Sequence, residues 1–460
     1  MFVLPYRYGN PADATYGVPE SLLWEECAFC GVTTLLFALV AVILLVRRES
    51  GVQFWLVALI LSVMVALGPF APAFRFLWSW LPGMRLFRFP QRFLLVAVLA
   101  LALLAARGLD RVTERGGWLR NALGAAAILV LLTELFLFSL SQIKVIDSRQ
   151  LLSPPESVRV VQSDRGLYRV GHIGEMNSWM DVYHFAHGWS GDLTPYLNYR
   201  AMLHTDFNML FDLPAAGAQG HYGVDRVKKL WRHTLNFQIT DEENWTAEVP
   251  DSVLRVMGAE NVRYVLSSYS ITNRFLKPVS SIGFPNHQRG IMIYRNLLEQ
   301  PRAYVAGDYL LIKDPDRLPL GSLFGPSYDP GKPIIEEKPS RSFKKGGGGS
   351  ASITRYSPEE VVVEVTTSGG GLLVLADTYY PGWSAYLDGR KVHIIRANYA
   401  FRAVEVPRGR HQVVFRFQPA GYWIGLAVTM LTAALLLGAA TASVLRGRRK
   451  MKCAGQSSQG

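Results

Sequence analysis

Cysteine is scarce in this sequence, with three residues among 460. So few thiols exclude a fold built on disulfides, and no second Cys-x-x-Cys follows Cys27 and Cys30 to complete a zinc site. His184 and His187 lack a recognisable third ligand. Four glycines follow Lys345, but the Gly-x-x-x-x-Gly-Lys spacing of a phosphate-binding loop is missing. The sequence therefore predicts no metal site and identifies no cofactor.

Acidic residues are too few to balance the basic ones, with 36 Asp and Glu against 48 Lys and Arg and a net charge of +12. Much of this surplus lies beside apolar stretches, where only Glu49, Asp110 and Glu114 oppose it. The basic residues there are Arg47, Arg48, Arg107, Arg111, Arg115, Arg120, Arg446, Arg448, Arg449, Lys450 and Lys452. Such residues mark the cytoplasmic ends of membrane spans. The charge therefore predicts membrane topology and no nucleic-acid partner.

Charged residues are nearly absent from five apolar stretches, at about residues 28–46, 54–70, 93–106, 122–142 and 421–445. Most approach the ~20 residues that cross a hydrocarbon core, although 93–106 is short. A buried core helix is the alternative. We predict a polytopic α-helical membrane protein with four transmembrane helices in residues 1–144 and a fifth at 421–445.

The basic residues also predict the orientation in the bacterial plasma membrane. Residues 1–27, a loop at 71–92 and the large region 145–420 are expected outside, and the basic tail 446–460 in the cytoplasm. No secretory signal precedes the first span. We therefore expect the chain to be the carboxy-terminal part of a longer protein, with Met1 not established as the natural start.

The outer region divides by composition into three parts. Residues 145–313 mix strand-like runs with helix-like stretches, which predicts an α/β domain. Residues 314–352 are rich in Pro, Gly, Lys and Ser, a composition typical of a linker. From 353 to 420 apolar residues alternate, and Asp388-Gly389 predicts a two-residue hairpin. A large extracytoplasmic α+β region ending in a small antiparallel β-sandwich is expected.

Several runs carry a resemblance to a known family. ADTYYPGWSAYLDGRKVHIIRANYAFRAVEVPRGRHQVVFRFQP, at 376–419, resembles the carboxy-terminal end of bacterial YfhO-type membrane proteins. RLFRFPQRFLLV at 85–96, NVRYVLSS at 261–268 and YRNLLEQPRAYV at 294–305 resemble other parts of that family. The resemblance covers almost the whole chain, although only the first run is distinctive.

The resemblance implies a function. YfhO-type proteins are similar to glycosyltransferases of the GT-C class, which transfer sugar from polyprenyl phosphate to cell-envelope polymers at the outer membrane face. In that class the catalytic carboxylate lies in the first outer loop of a protein with more spans. The resemblance therefore implies that this chain carries the rear half of the membrane domain and is inactive alone.

Glu134 is the tentative catalytic residue because it lies inside the fourth span. A carboxylate there costs on the order of 2–3 kcal/mol on insertion scales, so it is expected to face a partner or a substrate path. A structural ion pair with an arginine such as Arg88 or Arg92 is the favoured interpretation, and catalysis is the alternative.

Arginines in the loop 71–92 are unusual because positive charge is expected on the other side of the membrane. Arg85, Arg88 and Arg92 lie among Phe and Trp residues, as in an interfacial segment. Guanidiniums bind phosphate through paired hydrogen bonds. The loop therefore predicts tentative binding of a polyprenyl-phosphate sugar, and ordinary anionic headgroups are the equal alternative.

Asp377, Tyr380 and Trp383 form a tentative site for the sugar or the polymer acceptor. Aromatic rings stack on sugars and carboxylates accept hydrogen bonds from hydroxyls. Aromatic residues in strands more often fill a core, and this interpretation is favoured. Two functions follow: part of a lipid-linked sugar transferase, or a non-catalytic membrane-anchored protein that binds envelope polymer or a partner protein.

Overall fold

The structure is a computed structural model. It describes residues 2–13, 15, 27–80, 90–114, 116–143, 146–174, 194–204, 206–217, 224–236, 239–241, 244–283, 290–343 and 347–456. The chain separates into two compact units. One comprises Met1–Ser153 and Met176–Tyr199, and the other Pro154–Glu175 and Arg200–Gly460.

Helices make up most of the first unit and are scattered through the second. In chain order they are α1 Val32–Leu45, α2 Ser50–Ala66, α3 Pro72–Trp80, α4 Leu94–Thr113, α5 Trp118–Gln142, α6 Ser148–Leu152, α7 Glu156–Gln162, α8 Thr194–Ala201, α9 Asp225–Asn236, α10 Asp251–Ala259, α11 Leu320–Leu323 and α12 Ala420–Gln456.

Strands are confined to the second unit within the described part of the chain. They are β1 Arg169–Ile173, β2 Ile239–Asp241, β3 Thr246–Glu248, β4 Val262–Ser267, β5 Ser270–Ile271, β6 Leu276–Gly283, β7 Gly290–Asn296, β8 Ala303–Ala306, β9 Leu310–Leu311, β10 Ile334–Ile335, β11 Gly349–Tyr356, β12 Glu360–Thr367, β13 Gly371–Thr378, β14 Trp383–Leu387, β15 Arg390–Val392, β16 Ile395–Ala397, β17 Phe401–Val406 and β18 Gly409–Phe417.

Within the described residues, three helices are long and apolar enough to cross a membrane, at Pro90–Thr113, Trp118–Leu140 and Ala420–Ala442. The predicted stretches at 28–46 and 54–70 form the shorter apolar helices α1 and α2. The stretch at 93–106 is the start of the longer helix α4. Its apolar run stops at Arg107, but helix formation continues because arginine and leucine are good helix formers and Arg107 pairs with Glu49 and Asp110.

Close packing joins α1 to α4 in the first unit. A Cβ atom built on Gly108 would lie 1.9 Å from the carbonyl oxygen of Phe37. Ala38, Ala41 and Leu104 are buried beside this contact. Small residues let apolar helices approach closely where lipid gives no hydrophobic driving force. Gly108 is therefore required for this helix pair as it stands.

A four-stranded sheet of order β1-β4-β7-β6 lies in the second unit, with β1 and β4 parallel and the other pairs antiparallel. Val158 and Val161 of α7 join a hydrophobic cluster with side chains of this sheet. Leu254 and Met257 of α10 join a second cluster with Val262 and other strand residues. The described part of 145–313 thus contains a sheet packed against helices.

Two larger sheets follow, of orders β8-β13-β17-β16-β10-β9 and β11-β12-β18-β14-β15. Val361, Val363 and Val365 alternate inward on β12 and share a cluster with Leu373 and Val404 of the other sheet. Asp388 and Gly389 both have positive φ, 49° and 80°, at the predicted hairpin between β14 and β15. The apolar alternation and the turn therefore produce the strands that the sequence predicts.

The structure differs from the prediction that 314–352 is a linker. Its described residues include α11, β10 and the start of β11, and Phe324, Tyr328 and Ile334 are buried. The larger sheets also recruit β8, which pairs with β13, so their first strand precedes residue 353. Proline and glycine set the composition here, but isolated large apolar residues between them provide enough burial to order the segment.

A two-residue connection joins the last strand to the last helix. β18 ends at Phe417 and α12 begins at Ala420. The Gln418 N–H donates to the Gly382 carbonyl (2.8 Å), and the Tyr422 N–H donates to the Pro419 carbonyl (3.1 Å). The side chains described along α12 are exposed. The β-rich part is thereby attached directly to an apolar helix.

Candidate functional site

A groove of about 420 Å³ opens beside this junction. Its wall contains aromatic and polar side chains from the segment after β13, from β14 and from the β15–β16 region. The principal lining residues are Tyr379, Tyr380, Trp383, Ser384, Lys391 and His393. The arrangement combines flat ring faces with hydrogen-bonding groups in one concave surface.

The turn Pro381-Gly382 brings the aromatic residues to the groove. Gly382 has a φ of 106°. A Cβ there would lie 3.0 Å from the Phe417 ring and 3.1 Å from Pro419 Cα. Only glycine combines this backbone conformation with such a close approach. The turn is therefore pressed against the end of β18 and the start of α12.

Tyr380 and Trp383 both contact Phe417, with ring centroids 6.3 and 5.2 Å apart. Tyr380 is 49% exposed, so much of its ring is open to solvent. Tyr379 and Trp383 pack against the core cluster and also line the groove. Tyr379 and Trp383 therefore pack in the core, as the favoured interpretation predicts, while contact of these rings with a ligand stays a prediction.

Two arginines lie against the groove aromatics. The guanidinium carbon of Arg402 is 3.8 Å from the Trp383 ring centroid, and that of Arg396 is 4.6 Å from the Tyr379 ring centroid. These are cation–π distances. Arg396 also pairs with Glu336 at 2.8 Å. Each ring is therefore contacted by a guanidinium from the six-stranded sheet.

Asp377 lies below the groove in a buried ion cluster. Its Oδ1 forms an ion pair with Arg302 Nη2 (2.8 Å) and accepts from Arg169 Nη2 (3.2 Å), and its Oδ2 lies 3.3 Å from Arg402 Nη2. The Tyr356 hydroxyl donates to Oδ1 at 3.1 Å. Asp377 is only 6% exposed, so the carboxylate that the sequence proposed for sugar binding is already surrounded by protein donors.

The pKa values in this cluster follow from burial and charge. Burial lowers the pKa of Arg169 and that of Arg402 to about 10, and Asp377 opposes this in both. Burial alone would raise the pKa of Asp377, but the three guanidiniums lower it below its usual value. Burial raises the pKa of Glu260 to about 7, against the effect of Arg169. At neutral pH the cluster therefore holds three cations on an ionised Asp377.

The arginine cluster is the feature that the sequence reasoning missed. Arg402 has the same strand parity as Val404 and Val406, which belong to the core cluster. An arginine at an inward position of a strand requires a buried acidic partner. The inward position of Arg402 could therefore have been predicted from the alternation along the strand. Its partner Asp377 could not, because the two residues come together only when β13 pairs with β17.

Glu134 belongs to α5, and its side chain reaches the amino-terminal end of α1. Its Oε2 accepts from the Thr33 backbone N–H at 3.2 Å. The residue before the helix, Gly31, makes no side-chain cap. A carboxylate at this position satisfies an otherwise open N–H and complements the helix dipole. The Glu134 carboxylate thus contacts a helix end, and its pairing with Arg88 or Arg92 stays a prediction because Arg88 lies outside the described residues.

Of the three loop arginines proposed to bind phosphate, the structure describes Arg92. Arg92 is exposed in the short 3₁₀ turn Pro90–Phe93 ahead of α4, and Arg85 and Arg88 lie outside the described residues.

A separate apolar cavity of about 200 Å³ lies among α1, α4 and α5 and is lined by residues such as Phe37, Ala105 and Leu131.

Metal-binding chemistry has no support in the described part of the chain, where no cluster of three His, Cys, Asp or Glu side chains occurs. Cys27 and Cys30 are free thiols. The positions of His184 and His187 lie outside the described residues. The groove and the cluster beneath it therefore form the candidate site.

Comparison with known families identifies one match. The model described as bacterial membrane protein YfhO matches residues 341–429, which include β11 to β18, the groove aromatics and the first turns of α12. This confirms the resemblance that the run 376–419 predicts. No curated protein matches the chain, and no solved structure does.

Proposed function

We propose that this chain, whose residues 341–429 match the bacterial membrane protein YfhO, holds carbohydrate at the outer face of the bacterial plasma membrane. In this proposal it is a multi-pass protein whose β-rich part is a sandwich outside the cell. The ligand is the sugar of a polyprenyl-phosphate donor or of an envelope polymer. The observation that carries the proposal is the aromatic groove at the start of α12.

The proposed orientation rests on charges at the helix ends. Arg107 Nη2 lies 2.7 Å from Glu49 Oε2, which puts the α1–α2 connection and the end of α4 at one side. Arg47 and Arg48 lie in that same connection. A cluster of basic residues favours the cytoplasmic side. The opposite ends of the helices, including the Thr33–Glu134 contact, would then face outward.

The proposed height of the groove rests on the junction. Tyr422 and Trp423 stand in the first turn of α12 and are 62% and 60% exposed. Tyr and Trp are enriched at the level of lipid headgroups. Gly382 is hydrogen-bonded to Gln418, four residues before Tyr422. We therefore place the groove just above the headgroup layer, where a sugar on a membrane lipid would lie.

The chemistry of the groove supports a saccharide. Tyr380 and Trp383 offer ring faces, and Ser384, Lys391 and His393 offer hydrogen-bonding groups. Small-molecule sites combine apolar surface with a few polar groups in this way. We assign to this chain the holding of carbohydrate, within a GT-C-like transferase, and not the bond-making step. Arg85, Arg88 and Arg92 are proposed to bind the lipid phosphate.

Binding to the full chain in lipid nanodiscs tests the proposal. Titration with a polyprenyl-phosphate sugar and with envelope polymer is expected to saturate, and Trp383→Ala is expected to weaken binding about tenfold, because stacking is lost. Trp118→Ala is the matched control, since Trp118 is 77% exposed on α5 and distant in sequence. Equal loss in both variants, or no binding to wild type, would refute the role of the groove.

A non-catalytic envelope-binding protein is the second proposal. It is favoured by Glu134, the tentative catalytic residue, which is occupied in capping α1. Sugar transfer measured with the complete gene product separates the two. Transfer that survives Glu134→Gln but requires Trp383 favours the transferase, and binding of polymer without transfer by the complete product favours the second proposal.

A further inference from the structure

Arg396 and Arg402 are directly opposite each other on the antiparallel strands β16 and β17. Like charges at such a position destabilise a sheet, and β-branched or aromatic residues would pack better. Each charge is offset separately, Arg396 by Glu336 and Arg402 by Asp377. The sheet itself therefore gives no reason for two arginines at these positions.

The guanidiniums of Arg396 and Arg402 also both contact aromatic rings of the groove. Each lies against a different aromatic ring of the groove, Arg402 on Trp383 and Arg396 on Tyr379. Arg402 is 2% exposed, its Nε donates to the Asp377 carbonyl at 3.4 Å and its Nη2 pairs with the Asp377 carboxylate at 3.3 Å, so it is a fixed support. Arg396 is partly exposed and fixed by Glu336. A guanidinium that stacks on a ring restricts its orientation, which lysine would do less well.

A cation behind a ring also changes what the open face attracts. The negative face of an aromatic ring attracts cations. A cation already bound to one face repels a second cation that approaches the other face. Lys391 adds positive charge to the groove wall. Two acidic residues lie nearby and are both paired, Glu336 with Arg396 and Glu337 with His393, each at 2.8 Å. The groove therefore presents rings that are poorly suited to a second cation.

We propose that Arg396 and Arg402 are positioning residues that hold Tyr379 and Trp383 as a stacking platform and make the groove select neutral or anionic sugars over protonated amino sugars. This inference rests on the proposed function for its ligand class. Its positioning part concerns the rings alone and can be measured without any sugar.

The first test measures the order of the rings in the full chain in nanodiscs. Fluorotryptophan labelling, with Trp383→Phe for assignment, reports on Trp383 by fluorine NMR. Arg402→Lys is expected to shift and broaden that signal. Because Arg402 is buried, Arg396→Gln with fluorotyrosine at Tyr379 is the second variant. Arg410→Gln is the matched control, since Arg410 is exposed on β18. Unchanged signals in both variants would overturn the positioning role.

The second test measures selectivity. Tri-N-acetylchitotriose and its de-N-acetylated form differ in charge at pH 6 and not in chain length. Wild type is expected to bind the neutral form at least tenfold more tightly, and Arg396→Gln is expected to reduce this ratio. Equal binding of the two probes would overturn the selectivity. Binding of neither probe, with ring signals that still respond to the variants, would refute the proposed function and support the positioning role.

Discussion

Replacing Asp377 by Asn tests whether the ion cluster beneath the groove stabilises the second unit. The carboxylate interacts with Arg169, Arg302 and Arg402, of which the last two are 7% and 2% exposed. An amide keeps the shape but removes the charge that these guanidiniums share. Breaking a buried ion pair costs about 3–5 kcal/mol because it leaves charge uncompensated. We expect a loss of that order.

The measurement is thermal unfolding of the full chain followed by circular dichroism. At about 2–4 °C for each kcal/mol in a domain of this size, Asp377→Asn should lower Tm by roughly 10 °C. Asp388→Asn is the matched control because Asp388 is 51% exposed at its side chain and pairs with His411. Its replacement should change stability by about 1 kcal/mol or less.

The pH dependence gives an independent check. Because the folded pKa of Asp377 is lowered, its stabilisation is present above the ordinary carboxyl pKa and is lost as pH falls through the folded value. The difference between wild type and Asp377→Asn should therefore shrink in acid. A Tm within about 1 °C of the Asp388→Asn control at pH 7 would refute the reasoning.

Three further predictions concern single residues. Burial raises the pKa of Glu260, so ionisation of this residue destabilises the folded wild type as pH rises from 4.5 through 7, and Glu260→Gln should exceed wild type in free energy of unfolding by up to about 3 kcal/mol above that range. Denaturant unfolding of both proteins at pH 5 and pH 8 measures this difference. The same difference between variant and wild type at the two pH values would contradict the prediction. Glu134→Ala should lower the free energy of unfolding by about 1 kcal/mol, because the Thr33 N–H at the start of α1 loses its acceptor, and Glu134→Gln should lower it less. Thermal unfolding in detergent measures both variants, and equal losses would argue against capping. Gly108→Leu should separate α1 from α4, with a large Tm loss that Gly124→Leu, at the more open position, does not reproduce.

The sequence predicted the features that depend on local pattern. Alternating valines from 361 to 365 form β12, and the positive φ at Asp388-Gly389 closes the hairpin that these two residues favour. The apolar stretches become helices, as their length and continuous apolar composition predict. The family resemblance was predictable for the same reason, since its distinctive run is contiguous.

Features that depend on long-range contact could not be predicted. The order in 314–343 arises because Phe324 and Tyr328 reach a core formed by α9, α10 and Tyr399, residues far away in the chain. The buried arginines Arg169, Arg302 and Arg402 come from segments far apart in the chain, so their separate positions did not reveal Asp377 as a common partner. Glu134 likewise binds a backbone N–H about a hundred residues earlier.

The two-residue connection between β18 and α12 couples the groove to the first turn of that helix. A helix longer than the hydrocarbon thickness accommodates by tilting. Because Gly382 is hydrogen-bonded to Gln418 and packed against Pro419, the rings that line the groove follow the first turn of α12. In the proposed function, a change in membrane thickness would therefore change the tilt of the groove over the lipid surface, and the access of sugars would depend on lipid composition.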